Sequence, residues 1–160
     1  MSEEFPSDWK IARLEDCLDA LIDYRGKTPT KTTFGIPLVT AKIIKGGRIE
    51  EPKEFIAEDE FEEWMRRGLP HPGDVVMTTE APLGEIAQLD GRKVALAQRV
   101  ITLRGKTGYL DNTFLRFLMQ SPFVQDQLHG RASVVSLKIV TELWLMTHSA
   151  ACHARHHTLN

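Results

Sequence analysis

The sequence predicts an α+β fold, a mixed or antiparallel twisted sheet with packed helices. Two observations carry that expectation. Short β-rich runs bounded by Gly and Pro fill the stretch from Ile36 to Arg104, and apolar residues at helical spacing gather only after Asp111. A chain of 160 residues with 42% hydrophobic side chains suffices for one core and not for two. Residues 1–139 are expected to form a single domain, and 140–160 an atypical tail.

The elements follow in order. Ile36 to Ile44 is rich in β-formers and lies between Gly35 and the Gly46-Gly47 turn, so it reads as a strand. Glu58 to Arg67 reads as a short helix with Phe61, Trp64 and Met65 on one face; acids crowd its first turn, Arg66 and Arg67 its last, and Gly68 stops it. Three β-like runs come next, Asp74 to Thr79, Gly84 to Leu89 and Val94 to Arg104. Asp90-Gly91 reads as a hairpin between the last two, so the three are expected to pair as neighbours. Asp111 or Asn112 can cap a helix carrying Phe114, Leu115, Phe117, Leu118 and Met119, and Ser121-Pro122 begins another with Phe123, Val124 and Leu128.

Charge is blocked along the chain rather than mixed. The balance of 20 Lys and Arg against 22 Asp and Glu gives −2 and suggests no nucleic-acid partner. Yet residues 1–23 hold seven acids against Lys10 and Arg13, and the stretch from Arg25 to Arg48 holds six bases and no acid. Glu50 to Glu63 carries eight acids against Lys53, and Arg92 to Lys106 five bases and none. Cys17 and Cys152 stand far apart and make no disulfide framework, the acidic N-terminus leads into no apolar stretch, and nowhere do about 18 apolar residues run together. A reduced, cytoplasmic setting is expected.

Several chemistries are excluded on spacing. Gly-Lys-Thr occurs at 26–28 and 105–107, but a phosphate loop needs a glycine where Leu21 and Val100 stand. Asp74 and Glu80 suggest the carboxylates of a metal-dependent nuclease, but Ala81-Pro82 occupies the place of the required lysine, and Asp74 reads better as a turn residue bonding local backbone N–H groups. His148, Cys152, His153, His156 and His157 include zinc-ligating types, but all lie in one terminal stretch without apolar period, which reads as a frayed tail. No nucleophile–base arrangement, methyltransferase motif or glycine-rich cofactor loop is present. No catalytic residue, no metal and no cofactor are expected.

The basic stretch is the candidate site. Arg25, Lys27, Thr28, Thr30, Lys31 and Thr33 put cations for phosphate oxygens beside short hydroxyls, with Pro29 stiffening the loop. Lys42 and Lys45 extend it toward Gly46-Gly47 and Arg48. Gln98-Arg99, a polar pair in an apolar run, has the side chains that read adenine and guanine bidentately in the major groove. Each has a plainer alternative: a solvated threonine-rich loop for the first, and local backbone satisfaction inside a strand for the second. About six neutralised phosphates would give a slope of log affinity on log salt near −5.

An ordered series of short segments carries a family resemblance. Trp9-Lys10 to Leu14-Glu15-Asp16, Asp23-Tyr24-Arg25-Gly26-Lys27-Thr28-Pro29, Gly35-Ile36-Pro37-Leu38-Val39-Thr40-Ala41-Lys42, Pro72-Gly73-Asp74-Val75-Val76-Met77, Glu80-Ala81-Pro82-Leu83-Gly84 and Gln98-Arg99-Val100 occur in that order. From about Trp9 to Ile139 the chain resembles the target recognition domain of the DNA specificity subunit (S subunit, HsdS-type) of type I restriction-modification systems.

The resemblance implies a target-recognition-domain-like fold that binds double-stranded DNA without catalysis. It also implies partners: a methyltransferase (M) subunit, an endonuclease/translocase (R) subunit indirectly, and a possible homodimer if the chain is a half-unit. S-adenosylmethionine, ATP and Mg are then expected only in those partner subunits. A full-length member has two such domains separated by long helices, whereas this chain has one and no heptad-patterned helix. The family also continues past Ala132-Ser133 with a further strand and a proline-rich exit; Val134 to Ile139 keeps part of that pattern and His148 to Asn160 abandons it. A half-subunit, a fragment or a frameshifted product is therefore expected. The alternative is an interaction protein that assembles with a methyltransferase subunit or itself without holding DNA.

Overall fold

The computed structural model describes residues 7–24, 28–131 and 134–148. In chain order, β1 (Trp9–Arg13) passes through a 3-10 turn into β2 (Leu18–Asp23), followed by β3 (Lys31–Thr32), β4 (Ile36–Val39), β5 (Ile44–Lys45), β6 (Arg48–Ile49) and β7 (Phe55–Ile56). Then come α1 (Phe61–Trp64), β8 (Val75–Thr79), β9 (Leu83–Gln88), β10 (Ala95–Leu96), β11 (Val100–Gly105), α2 (Asn112–Gln120), α3 (Pro122–Arg131), α4 (Leu137–Thr141) and β12 (Trp144–His148).

A central antiparallel sheet, in the order β2-β11-β8-β9, is packed on both faces. Strand alternation sorts its side chains. Val75 and Met77 of β8, with Ile101 and Leu103 of β11, join Leu115, Met119, Val124 and Leu128 of the helices in one core. Val76 and Val100 point the other way, into a second core with Leu38, Val39, Ile56 and Leu96. That second core lies under the sheet β10-β4-β7-β3, in which β10 and β4 are parallel. Burial on both faces is why β8 reads as a continuous apolar run rather than an alternating one. The architecture is the α+β arrangement read from the sequence: mixed and antiparallel sheets with packed helices, α2, α3 and α4 against the first core and the short α1 against the second.

Turn chemistry fixes the boundaries. Asp111 caps α2, its Oδ1 accepting the N–H of Thr113 at 2.9 Å and of Phe114 at 3.1 Å. Ser136 caps α4 by accepting the N–H of Ile139 at 3.3 Å. Before β8, Gly73 adopts a positive φ of 85° and Asp74 accepts the His71 N–H at 2.8 Å. Arg104 of β11 grips both oxygens of Asp74 at 2.8 Å and donates to the Leu69 carbonyl at 3.2 Å, tying the 69–74 loop to the central sheet. The Tyr24 hydroxyl donates to the Gly68 carbonyl in the same corner, and burial, with the charge of Asp74, pushes its pKa up.

Four expectations are corrected. The run from Ile36 to Ile44 is a strand only to Val39; a 3-10 turn at Ala41–Ile43 breaks it, and Ile44–Lys45 turns back through Gly46-Gly47 onto β6. The helix expected over 58–67 has one α turn, Phe61–Trp64, after a 3-10 turn, though Phe61 and Met65 are buried as the pattern required. Asp90-Gly91 does not close a hairpin. Asp90 instead caps its own turn by accepting the Arg92 N–H at 2.9 Å, and the chain crosses into the second sheet as β10 beside β4. Val94 to Arg104 is accordingly two strands, because its halves belong to different sheets: β11 lies between β2 and β8 and not beside β9.

The fold continues past Ile139. The 137–141 segment is helical, and Val140, Leu143 and Leu145 are sealed in the core beneath the helices. β12 pairs antiparallel with β1, Trp9 opposite His148 and Arg13 opposite Trp144. Gln127 of α3 holds the start of β12, its amide exchanging two 2.9 Å bonds with the Trp144 backbone. Cys152, His153, His156 and His157 lie outside the described residues.

Candidate nucleic-acid interface

The break between β10 and β11 builds the site. The Ala97 N–H donates to the Val39 carbonyl of the second sheet at 2.9 Å, and the Arg99 carbonyl accepts the Thr79 N–H of the central sheet at 3.0 Å. Val100 N–H closes the turn on the Ala97 carbonyl at 3.1 Å. Gln98 and Arg99 are therefore not polar residues inside a strand. They stand on a tight turn pinned to both sheets, at the seam between them.

At that seam a cleft of about 250 Å³ brings together Thr28, Lys31, Lys42, Gln98 and Arg99, with Ala81 on its wall. Two segments distant in sequence, singled out separately for charge and for polar interruption, line the same depression. Leu38, Thr40 and Ala97 line its apolar part.

Carboxylates hold its cations. Lys31 Nζ meets Glu54 Oε1 at 2.9 Å, Lys42 Nζ meets the same oxygen at 3.5 Å, and Arg99 Nε meets Glu80 Oε1 at 2.9 Å. Glu54 is placed by its backbone, whose carbonyl accepts the Leu38 N–H at 2.9 Å. The hydrogen bond from Lys31, reinforced by the charges of Lys31 and Lys42 and opposed by partial burial, keeps the Glu54 carboxyl below the usual carboxylate range. The cationic groups nevertheless remain open, with side-chain exposures of 42% for Lys31, 71% for Lys42 and 51% for Arg99. Pairs this exposed contribute about 0–1 kcal/mol, so a stronger anion can take the cation at little cost.

The remaining sequence candidates separate. Thr28 also borders a neighbouring cleft, which Thr30 lines together with Asp59, Glu60, Glu63, Arg66 and Arg67, so Thr30 stands apart from the Lys31 cleft in a setting of mixed charge. Thr33 lies exposed in the turn before β4. Lys45 stands on the β5–β6 hairpin, paired with Glu50 at 3.8 Å and outside the lining of the Lys31 cleft. Arg25 and Lys27 lie outside the described residues. The second acid-free stretch is dispersed: Arg92 pairs with Asp90 and Glu51, Lys93 lies 4.5 Å over the Phe61 ring, Arg104 holds Asp74, and Lys106 donates to the Asp16 carbonyl. Sequence reading missed Glu54 and Glu80 as partners of the cleft cations. The acid-rich block after Lys53 was visible, but which of its members folds back onto Lys31 depends on the β3–β7 pairing.

No protein-family model matches the chain, and no curated protein is significantly similar to it. Solved structures do match. A chain from a study of complex assembly and conformational transition of the type I restriction-modification system superposes with a TM-score of 0.66 at 15% identity, covering 92% of this chain and 36% of that one. The HsdS subunit of Thermoanaerobacter tengcongensis gives 0.64 at 16%, covering 96% and 36%. The S subunit of the type I system of M. genitalium gives 0.61 at 13%, covering 89% and 35%. This chain spans about a third of the length of each, and its fold is that of one segment of a type I restriction-modification S subunit.

Proposed function

We propose that the chain is a target recognition domain of a type I restriction-modification specificity subunit, a noncatalytic module that binds duplex DNA sequence-specifically. The observation that carries this is the convergence of Lys31, Lys42, Gln98 and Arg99 on one open cleft in a fold shared with S subunits. Lys31 and Lys42 would exchange Glu54 for backbone phosphate oxygens, which sets the position of the domain on the duplex. Gln98 and Arg99, presented together by a turn fixed to two sheets, would contact base edges. Thr28 would add a hydroxyl at the rim.

Methyltransferase and endonuclease subunits would supply the chemistry, with S-adenosylmethionine, ATP and Mg bound there. Among the described residues no helix is long and apolar enough to cross a membrane, and no group of three or more His, Cys, Asp or Glu is placed to hold a metal ion. Three cations at the cleft, Lys31, Lys42 and Arg99, account for a slope of log affinity on log salt of about −3, smaller than six contacts would give.

Selection of bound duplexes from a randomised pool tests the proposal. Enrichment of one short half-site motif is expected, and loss of that enrichment in Gln98→Ala or Arg99→Ala. A second reading, an interaction protein that assembles with a methyltransferase subunit or itself without holding DNA, draws on the carboxylates already bound to the cleft cations. Co-purification with a methyltransferase subunit, combined with no retardation of any duplex, would establish that reading instead.

A further inference from the structure

We infer that a second cleft, lined by Arg48, Arg92 and Arg116, is a binding site for a phosphate group. It encloses about 330 Å³ on the other side of the β4–β10 ladder. Val39 and Val94 line it, whereas Leu38, Thr40 and Ala97 line the Lys31 cleft. Neighbouring residues of one strand face opposite ways, so the two clefts open on opposite faces. The site therefore stands independently of the DNA-reading proposal.

Three elements deliver the guanidinium groups. Arg48 follows Gly46-Gly47 in the β5–β6 hairpin, which is fastened by the Gly46 N–H to Glu85 at 3.2 Å. Arg92 leaves the Asp90 turn, and Arg116 projects from the middle of α2. Gly47 backbone completes the wall, and its positive φ of 78° lets the chain pass there.

Their partners differ. Arg92 is held by Asp90 at 3.0 Å and Glu51 at 3.3 Å, in pairs that stand open to solvent. Among the described residues Arg48 makes no ion pair, and Arg116 pairs with no carboxylate. Arg116 lies 4.7 Å over the Phe117 ring, and its Nε–H is sealed from solvent without an acceptor among the described residues. A guanidinium donor that has lost water and gained no bond is costly, on the order of 1–3 kcal/mol for such a group. A tetrahedral oxyanion resolves that deficit: a small turn of the Arg116 fork presents Nε and one Nη to two oxygens of one phosphate, while Arg48 closes from the hairpin. Asp90, which also lines the cleft, is occupied by Arg92 and the Arg92 N–H. The chemistry is that of a phosphate monoester, inorganic phosphate or a backbone phosphodiester.

The test follows the arginine Nε–H resonances of the full chain during titration with inorganic phosphate at constant ionic strength. Arg116 is expected to shift saturably, and Arg116→Gln and Arg48→Gln to weaken binding at least tenfold, while Lys31→Ala/Lys42→Ala leaves it unchanged. Arg48 is exposed on a hairpin, so Arg48→Gln keeps the test decisive even if Arg116→Gln disturbs α2. A short duplex forms the second arm. If it also shifts Arg116 and competes with phosphate, the group bound is a DNA backbone phosphate; if only inorganic phosphate shifts Arg116, the ligand is a free phosphate compound. No saturable shift in either arm, or a shift that survives both arginine variants, overturns the inference. Duplex binding that fails in wild type while phosphate still binds would count against the DNA-reading proposal alone.

Discussion

The Asp74–Arg104 corner and the Lys31–Glu54–Lys42 cleft use the same chemistry at nearly the same spacing, 2.8 Å in one and 2.9 Å in the other, with opposite consequences. Asp74 is fully buried, both its oxygens are taken by one guanidinium, and the His71 N–H fills what remains. Nothing from solution can compete there, and the hydrogen bond to Asp74 raises the Arg104 pKa further. Glu54 shares a single oxygen between two lysines whose ends stand in water. The difference is burial and geometry rather than charge: the first pair fixes a loop to the sheet, and the second is free to be exchanged for an anion that binds better.

Breaking the buried pair should have the largest effect. Arg104→Met leaves the buried Asp74 carboxyl without its guanidinium partner, and a loss of about 3–5 kcal/mol is expected in urea unfolding. Arg104→Met combined with Asp74→Asn should recover part of it; a single-variant loss under about 1 kcal/mol would place the corner on the same footing as the cleft.

The cleft should respond in the opposite sense. Lys31→Ala/Lys42→Ala is expected to leave stability within about 0.5 kcal/mol of wild type while flattening the salt slope of duplex binding by about 2. Glu54→Gln should improve duplex affinity roughly threefold, since it frees both lysines of a competitor whose pairing is worth about 0–1 kcal/mol. Weaker binding in Glu54→Gln would mean that the carboxylate positions the lysines rather than competing for them.

The smallest effect is in pH. Because the hydrogen bond from Lys31 lowers the Glu54 pKa, the stability this pair contributes is present above the unfolded carboxylate value of about 4.3 and lost as pH falls through the folded value. The stability difference between wild type and Glu54→Gln, under about 1 kcal/mol for so exposed a pair, should shrink toward zero in that window. A difference that persists at pH 2 would assign it to something other than the charge of Glu54.

What the sequence disclosed about these regions depended on how local the cause was. The helix cap at Asp111 or Asn112, the Gly46-Gly47 turn and the Pro72-Gly73-Asp74 entry to β8 are written within a few residues and were legible, with Asp111 singled out as the cap by its bonds to Thr113 and Phe114. The buried partner of Asp74 was not, since Arg104 lies 30 residues on and its basic neighbours gave no sign of which one turns inward. Val94 to Arg104 read as one strand because both halves are apolar, whereas the split between sheets is set by β4 and β8, which lie elsewhere in the chain. Likewise β12 joins β1 across nearly the whole described chain, a pairing that no local pattern encodes. In the cleft, the cations and the Gln98-Arg99 pair were visible as residue types; their meeting at one seam, and the carboxylates they bring with them, came from tertiary structure.

Fluorescence anisotropy of a labelled duplex, titrated with the full chain over a salt series, measures the central claim most directly. Wild type should bind with a log–log salt slope of about −3 or steeper, and the triple variant Lys31→Ala/Lys42→Ala/Arg99→Ala should lose about 2.7 from that slope at unchanged stability. Equal slopes for the two proteins, or no duplex binding by wild type at low salt, would contradict the account.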